Sequence, residues 1–323
     1  MLELARSYQP AAVLAAAAEL DIFSALAGRP LTAAQVAHRR RCDRRAMTVL
    51  LDALAALRLL NKRGARYGLP AATAALLTPD GPRSILAMVQ HQANCLRNWS
   101  QLAQVVQTGR PAQRAPSVRG ATSDAQAFIG AMHTVAAPVA DRVIRSLRPL
   151  RFRHVLDVGG ASGTWTIALL RACPGARATL FDLPPVIPMA RRRIAEAGLT
   201  RRVRLVAGDF YRDPLPGGAD LAWVSAIVHQ NSRAENRALF AKLFAVLQPG
   251  GRVAIRDILM APNRTAPLTG ALFAVNMLVA TAGGGTFTLA ELRQDLEAAG
   301  FHRVTLCRRD VGMNSVLVAW KPD

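Results

Sequence analysis

Hydrophobic and polar positions recur with different periods in the two halves of the chain. In the first 115 residues, apolar positions return every three or four residues, as at Met47, Leu50, Leu51, Leu54 and Leu57, which predicts amphipathic helices. From residue 153 onward, short apolar runs alternate with amphipathic segments, which is typical of a parallel sheet whose strands are joined by helices. The pattern therefore predicts a mainly α part followed by a doubly wound α/β part.

The helical part has the element order of a winged helix. Thr32 predicts the N-cap of one helix, the chain breaks near Cys42–Asp43, and a second amphipathic helix follows. The segment NKRGARYGLP, residues 61–70, places a glycine turn between short flanks and predicts a β-hairpin. A module of this shape binds DNA or forms dimers, and the pattern alone leaves both open.

Composition shifts suggest the domain limits. Residues 110–124 are rich in Pro, Ser and Gly and predict a loop, and one helix at about 124–147 is expected to bridge into the second half. We therefore predict a helical winged-helix-like domain over residues 1–115, a linker and bridging helix over 116–150, and a sheet domain over 151–323.

The sheet domain is predicted to hold five parallel strands and a C-terminal antiparallel edge hairpin. The parallel strands are HVLDVG (154–159), RATLFDL (177–183), VRLVAGD (203–209), DLAWVSAIV (220–228) and GRVAIRDIL (251–259). The hairpin strands are HRVTLCRRD (302–310) and NSVLVAWK (314–321). In such a sheet, ligands bind at the carboxyl ends of the parallel strands.

Composition excludes several classes of protein. The chain has 323 residues, of which 51% are hydrophobic and 19% charged, as expected for a globular protein. No apolar run reaches the roughly 18 residues of a membrane span, and the first residues make a poor signal peptide. The four cysteines are scattered, without the spacing of a zinc site or disulfide framework. We expect a soluble cytoplasmic protein with no metal site and no membrane partner.

The net charge of +20 raises the possibility of nucleic-acid binding. The excess is almost entirely arginine, and it is spread over the chain, in HRRRCDRR, RRRIAEAGLTRR and CRRD, instead of being gathered in one segment. The segment that would read DNA, RRAMTVLLDALAALRLL, is apolar along most of its length, as a dimer interface would be. A nucleic-acid binder or nucleic-acid methyltransferase is therefore kept only as an alternative.

The stretch VLDVGGASGTW, residues 155–165, is the main candidate for ligand binding. Glycines stand at Gly159, Gly160 and Gly163, which does not match the dinucleotide pattern GxGxxG. Asp157 directly before them disfavours a pyrophosphate and favours a cation, and S-adenosylmethionine carries a sulfonium and an ammonium group but no phosphate. A tight strand-to-helix turn is the structural alternative.

Two further acids are expected at the ends of the next strands. Asp182 lies 25 residues after Asp157 and is placed to accept hydrogen bonds from ribose hydroxyls. Asp209 could meet the adenine amino group, with Phe210 against the ring. An acid at a strand end is often a helix cap. Three at consecutive strand ends favour a bound S-adenosylmethionine.

From about residue 10 to its end, the chain resembles the small-molecule O-methyltransferases that have a winged-helix-like dimerisation domain, a group of plant phenolic and bacterial natural-product enzymes. The shared motifs are LDVGGASG, FDLP, AGDF, IVH and LQPGGRVAIRD. The resemblance implies a homodimer, helices of the first domain that also wall the acceptor pocket, a small-molecule substrate, and no role for DNA. It also implies that Leu183 and Ser225 lie in the cofactor site.

The resemblance implies that His229, expected at the end of the fourth parallel strand, is the general base. Asp257 matches the acid that orients this base, although a cap or an ion pair with Arg256 is an alternative role for it. Phe128, Met132 and Met277 match positions that flank an aromatic acceptor, although such side chains are often plain core.

The chain departs from the family after the base and near the C-terminus. Gln230 and Asn231 stand where the family has Asp and Trp, and Ser225 where many relatives carry a lysine. Thr286 stands where plant relatives have a second acid beside the histidine. We therefore expect a less strongly activated base or an acidic acceptor. A non-methylating enzyme that binds the donor without consuming it stays an alternative, and the sequence identifies neither the acceptor nor whether O, N, S or C is methylated.

Overall fold

The computed structural model describes residues 1–323, which fold into two compact units. The first unit comprises residues 1–100 and 113–135, and the second comprises residues 101–112 and 136–323. Residues 101–112, which the sequence places within the N-terminal domain, therefore pack in the second unit, where the backbone N–H of Ala112 donates to the carbonyl of Val279.

The first unit is built mainly from helices. Its elements are α1 (Leu2–Arg6), α2 (Tyr8–Glu19), α3 (Ile22–Leu26), β1 (Leu31–Thr32), α4 (Ala33–Arg40), α5 (Arg44–Ala56), β2 (Asn61–Arg63), β3 (Arg66–Gly68), α6 (Ala71–Leu77), α7 (Leu86–Trp99) and α9 (Ala121–Ala136) up to Val135. Helix α8 (Leu102–Thr108) lies between α7 and α9 in the chain but belongs to the second unit.

Local cap chemistry fixes the winged-helix order of this unit. The hydroxyl of Thr32 accepts from the backbone N–H of Gln35, whose side chain in turn accepts from the backbone N–H of Thr32. Asp43 caps α5 by a single hydrogen bond, which its carboxylate accepts from the backbone N–H of Ala46. The predicted hairpin forms from β2 and β3, and β1 pairs with β3 to give a third strand that the sequence does not indicate.

A seven-stranded sheet forms the centre of the second unit. Its further elements are α10 (Ala140–Ser146), β4 (His154–Val158), α11 (Thr164–Ala172), β5 (Arg177–Asp182), α12 (Ile187–Glu196), β6 (Val203–Ala207), β7 (Ala219–Ser225), α13 (Arg233–Val246), β8 (Leu247–Asp257), β9 (Leu259–Met260), α14 (Leu268–Ala280), β10 (Phe287–Thr288), α15 (Leu289–Ala298), β11 (His302–Arg308) and β12 (Ser315–Trp320). The second unit also contains two short 3₁₀ helices, Thr200–Arg202 and Val228–Gln230.

The strand order β11-β12-β8-β7-β4-β5-β6 confirms the predicted doubly wound sheet. Strands β4 to β8 are parallel, and β12 is antiparallel to both β8 and β11, so the C-terminal hairpin lies at one edge. The chain leaves β4 toward β5 on one side and later returns to β7 on the other. The carboxyl end of β4 is therefore the point where the strand order reverses, which is where sheets of this type bind ligands.

The predicted single bridging helix at 124–147 is wrong. The chain forms α9 and α10 with a break at residues 137–139. Pro138 lies in this break, and because it has no backbone N–H and restricts the residue before it, it ends the first helix.

None of the helices combines the length and the hydropathy that crossing a lipid bilayer requires.

Candidate active site

The loop after β4 turns tightly against its neighbours. Gly159 and Gly163 have φ values of 67° and 80°, the left-handed region that favours glycine. A Cβ at Gly159 would lie 2.5 Å from Cδ1 of Ile227, and one at Gly160 would lie 2.5 Å from Cγ of Leu180. The missing Cβ atoms thus face packed side chains, so the glycines are needed for the turn itself whatever the loop binds.

Asp157 lies beneath this loop and is fully buried. Its Oδ2 accepts from the hydroxyl of Thr166 at 2.5 Å, and burial raises the pKa of Asp157 to about 7. Only 1% of the residue is exposed. The carboxyl therefore supports the loop from below, and any effect on a ligand would act through the loop and the local electric field.

Asp182 ends β5 and holds the loop from its other side. Its Oδ2 accepts from the backbone N–H of Ala161 at 2.7 Å, and its Oδ1 accepts from that of Leu183 at 2.7 Å. Burial raises the pKa of Asp182, and these hydrogen bonds oppose the rise. Each oxygen keeps a second lone pair, so the carboxylate can still accept from a ligand hydroxyl. Leu183 beside it is 48% exposed.

Asp209 and Phe210 follow the end of β6. The Oδ1 of Asp209 accepts from the N–H of Tyr211 at 2.9 Å, and the rings of Phe210 and Tyr211 lie 4.4 Å apart, centroid to centroid. The ammonium of Lys242 donates to the carbonyl of Phe210 at 2.8 Å, which ties this loop to α13. Both Asp209 and Phe210 are half-buried and can contact a ligand at the sheet edge.

Ser225 ends β7 and is bonded to a buried arginine. Nη1 of Arg256 donates to the Ser225 hydroxyl at 3.0 Å, and the rest of the guanidinium donates to Asn314. The guanidinium also lies 4.4 Å above the ring of Trp165, and burial lowers the pKa of Arg256 to about 10. Arg256 thus hydrogen-bonds Ser225 and Asn314, while the negative charge of Asp257 opposes the lowering of its pKa, and the alternative role of Asp257 beside Arg256 stays a prediction.

His229 and Asp257 form a hydrogen-bonded pair. Nδ1 of His229 lies 2.9 Å from both carboxylate oxygens of Asp257, whose Oδ1 also accepts from the N–H of Ile258. The Asp257 side chain is 2% exposed and that of His229 is 12% exposed. Because a carboxylate only accepts, this pairing favours the tautomer with the N–H on Nδ1, and in the neutral imidazole Nε2 then has a lone pair that can accept a proton.

The expected place of His229 at a strand end is wrong. Strand β7 ends at Ser225, and His229 lies in the 3₁₀ helix Val228–Gln230. Ala226 has a φ of 57°, outside the extended range, and its N–H donates to the carbonyl of Arg256. This left-handed residue turns the chain out of the sheet, although the apolar run continues through it.

A glycine loop, residues 283–285, supports the backbone of the segment that carries His229. The N–H of Gly285 donates to the carbonyl of His229 at 2.8 Å. A Cβ at Gly284 would lie 2.6 Å from that same carbonyl oxygen, and one at Gly283 would lie 2.9 Å from Cβ of Ser232. Thr286 follows, buried, with its hydroxyl 3.4 Å from the carbonyl of Gly270. The glycine loop therefore contacts His229 through backbone atoms.

An aromatic side chain that the sequence did not indicate lies against His229. The rings of Phe273 and His229 meet edge to face at 4.8 Å with an interplanar angle of 85°. Phe273 lies on α14, one helical turn before the predicted pocket residue Met277, which is buried. That i, i+4 spacing is the only sequence signal that could have identified it.

Phe128 and Met132 lie on α9 of the first unit. Phe128 is 48% exposed and its ring meets that of His91 edge to face at 5.1 Å, while Met132 is half-buried. Their role in an acceptor pocket stays a prediction.

The residues at the carboxyl edge of the sheet fit S-adenosylmethionine by their chemistry. They offer two acids, Asp182 and Asp209, an aromatic ring at Phe210, and a loop of small residues before α11 that Asp157 supports from beneath. A positively charged donor without phosphate matches such an acidic set, whereas a pyrophosphate would be repelled. No three His, Cys, Asp or Glu side chains are grouped as a metal site would require.

Comparison with known proteins gives matches along the whole chain. Residues 99–302 match the model of the O-methyltransferase domain, and residues 2–79 match that of the O-methyltransferase dimerisation domain. A 3-hydroxy-5-methyl-1-naphthoate 3-O-methyltransferase of Streptomyces sahachiroi is 32% identical over 99% of this chain and 94% of its own.

A second relative and a solved structure agree with these matches. The tetracenomycin polyketide synthesis 8-O-methyl transferase TcmO of Streptomyces glaucescens is 31% identical over 93% of this chain and 90% of its own. The crystal structure of human N-acetylserotonin methyltransferase in complex with SAM superposes with a TM-score of 0.82 at 26% identity, covering 99% of this chain and 96% of the other.

Proposed function

Because this chain belongs to the family of S-adenosylmethionine-dependent O-methyltransferases, we propose that it methylates a hydroxyl of an aromatic or polyketide-like small molecule, with His229 as general base. The cofactor is S-adenosylmethionine. The hydrogen-bonded pair of His229 and Asp257 is the observation that carries the assignment of the base, since it is an oriented imidazole with a free lone pair at the carboxyl edge of the sheet.

Bound S-adenosylmethionine supplies a methyl group attached to a positively charged sulfur. Asp257 keeps the proton of His229 on Nδ1, so Nε2 accepts the hydroxyl proton of the acceptor as the oxygen becomes nucleophilic. The buried carboxylate of Asp257 then stabilises the imidazolium that results. Asp182, Asp209 and Phe210 hold the donor at the sheet edge, and Asp157 supports the glycine loop beneath it.

The acceptor class is supported by the substrates in the names of the two Streptomyces relatives, a hydroxynaphthoate and a tetracenomycin intermediate. We propose a phenolic hydroxyl on a fused aromatic ring. The test is a panel of hydroxynaphthoates, simple phenols and matching aromatic amines, incubated with the donor and analysed by mass spectrometry. Methylation of the amines but not of the phenols would contradict the proposal.

The base assignment is tested with His229→Ala and the matched control His38→Ala, since His38 is exposed on α4 of the first unit. A general base contributes about 10²- to 10⁴-fold to the rate, so His229→Ala is expected to lose about that much in kcat. Calorimetric affinity for S-adenosylhomocysteine is expected to stay unchanged in both variants. Full activity of His229→Ala would remove the base assignment.

The mass-spectrometric assay also distinguishes methyl transfer from the non-methylating alternative. That alternative was suggested by Thr286, which stands where plant relatives have an acid. Methyl transfer releases one S-adenosylhomocysteine for each methylated product, whereas a non-methylating enzyme would leave the donor unconverted. The retained pair of His229 and Asp257 supports methyl transfer, because it keeps an oriented base although Thr286 supplies no carboxylate.

The chain is proposed to act as a homodimer. Support comes from residues 2–79, which match the O-methyltransferase dimerisation domain. Light scattering is expected to give about twice the monomer mass of 34.6 kDa. A monomer that retains full activity would contradict this proposal, and preference for one nucleic-acid sequence would revive the alternative that the net charge raised.

A further inference from the structure

A line of polar side chains leads through the interior of the second unit to the base segment. The hydroxyl of Tyr211 donates to Oδ1 of Asn231. Nδ2 of Asn231 donates to Oδ1 of Asn236 at 3.0 Å, and Nδ2 of Asn236 donates to the carbonyl of Val228 at 3.0 Å. Each group in this line donates to the next, and the line ends on the residue directly before His229.

The two asparagines are fully buried, with none of their surface exposed. A buried amide without partners destabilises a protein, so an interior pair of asparagines persists only when both are hydrogen-bonded. Hydrogen bonds that run in one direction also polarise and strengthen one another. The line therefore fixes the orientation of every group in it more strictly than apolar packing would.

The two ends of the line are anchored on different elements. At one end, Tyr211 belongs to the loop after β6, whose carbonyls at Phe210 and Tyr211 accept from Lys242 at 2.8 and 3.1 Å. At the other end, Val228 begins the 3₁₀ helix that carries His229. Burial raises the pKa of the Tyr211 phenol, so this hydroxyl keeps its proton and donates it to Asn231.

One departure from the family's residues after the base therefore takes part in this line. Asn231 stands where the family has Trp, and its Oδ1 accepts from the Tyr211 hydroxyl. The contact needs the amide that this chain has there, because Trp could not accept from the Tyr211 hydroxyl.

We infer that Asn231 is a positioning residue for His229, and that Tyr211 ties this position to the loop that carries Asp209 and Phe210. Through Asn236 and the Val228 carbonyl, Asn231 fixes the 3₁₀ helix so that Nδ1 of His229 meets Asp257. The inference rests on the proposed function, in which His229 is the base.

The test compares Tyr211→Phe and Asn231→Ala with the matched control Tyr67→Phe. The control also removes one tyrosine hydroxyl that donates to a side-chain oxygen, Oδ1 of Asp52 at 2.6 Å, but in the first unit. Because Tyr211 is 48% exposed, its variant is expected to fold even if Asn231→Ala does not.

Three quantities are measured for each variant. They are kcat at saturating donor and acceptor, the calorimetric affinity for S-adenosylhomocysteine, and the downfield proton resonance of the His229–Asp257 hydrogen bond in the ligand-free protein, assigned by its loss in Asp257→Asn. We expect kcat to fall about fivefold in Tyr211→Phe and about 30-fold in Asn231→Ala, the size of one and of several lost hydrogen bonds. Affinity is expected to change less than about twofold, and the resonance to shift or broaden.

The control separates positioning from simple stability. Tyr67→Phe is expected to lower Tm without changing kcat or the resonance. If Tyr211→Phe behaves like this control, the inference is overturned. His229→Ala is measured alongside the other variants. If His229→Ala is inactive but Asn231→Ala is fully active, the base assignment stands and only the positioning role of Asn231 is overturned. An active His229→Ala overturns the base assignment, and the resonance then still decides whether Asn231 holds the histidine–aspartate pair.

Discussion

Adding one methyl group at Gly284 is expected to disturb the base without touching its side chain. Its Cβ would lie 2.4 Å from the hydroxyl oxygen of Thr281, 2.6 Å from the carbonyl oxygen of His229 and 3.0 Å from the carbonyl carbon of Gln230. The Thr281 hydroxyl can move by rotation, but the two backbone atoms of the base segment cannot. Gly284→Ala must therefore displace the 3₁₀ helix or the glycine loop.

The size of the effect follows from these distances. Ordinary contacts of a Cβ begin near 3.4 Å, so the His229 carbonyl oxygen would have to retreat by about 0.8 Å. Overpacking of this kind costs about 1–3 kcal/mol of stability. A misplacement of about 1 Å in a reacting group lowers the rate by about 100-fold. We therefore expect Gly284→Ala to reduce kcat by about 10- to 100-fold, with a modest decrease in Tm.

The neighbouring glycine gives a matched control. A Cβ at Gly285 meets no atom within 4 Å, and neither Gly284 nor Gly285 has a positive φ, so alanine adopts both backbone conformations without strain. Gly285→Ala also keeps the N–H that donates to the His229 carbonyl. Steady-state kcat, calorimetric affinity for S-adenosylhomocysteine and Tm are measured for both variants. Equal kcat in the two would refute the argument that backbone contact at Gly284 places the base.

Three other substitutions test the carboxylates. Asp257→Asn turns an amide N–H toward Nδ1 of His229 and favours the other tautomer, so we expect kcat to fall by about 10²- to 10⁴-fold with donor affinity retained by calorimetry. Asp182→Ala leaves the N–H groups of Ala161 and Leu183 without their acceptor, and calorimetric affinity for S-adenosylhomocysteine is expected to fall at least tenfold; unchanged affinity would remove Asp182 from the cofactor site. For Asp157 the prediction concerns pH. Its pKa is raised from 3.8 to about 7, so between these values the folded protein holds a proton that the unfolded chain has released, and this group's contribution to the free energy of unfolding decreases as pH rises through that window. Asp157→Asn, measured by urea unfolding across the window, is expected to lack this decrease; a pH dependence equal to that of the wild type would contradict the raised pKa.

Local signals in the sequence predicted much of the fold. Contacts between residues only a few positions apart form the caps at Thr32 and Asp43 and the hairpin of β2 and β3. Such contacts can be predicted directly from residue type and spacing. The five parallel strands and the edge hairpin were predicted from the spacing of hydrophobic residues along the chain.

Features that depend on unusual backbone or on distant partners could not be predicted in this way. Strand β7 ends where Ala226 adopts a positive φ. Alanine rarely adopts this conformation, so the residue type does not indicate that the strand ends there. The line from Tyr211 to Asn231 joins residues 20 apart, and Phe273 meets His229 across 44 residues of chain. The pairing of His229 with Asp257 was expected from the family resemblance, and the structure brings the two side chains together, while their catalytic roles stay predictions.

Thr286 stands where plant relatives have a second acid beside the histidine, and other contacts around His229 replace what that acid would supply. Both oxygens of Asp257 lie 2.9 Å from Nδ1, so one carboxylate suffices to set the tautomer of His229. The loop that would carry the second acid instead meets the base segment through its backbone, by the N–H of Gly285 and the close approach at Gly284. A larger side chain at Gly284 would prevent that approach. The proposed base His229 is therefore expected to be oriented by backbone contact from the glycine loop on one side and by the buried amides of Asn231 and Asn236 on the other. For that reason substitutions remote from the imidazole are expected to change kcat more than donor affinity.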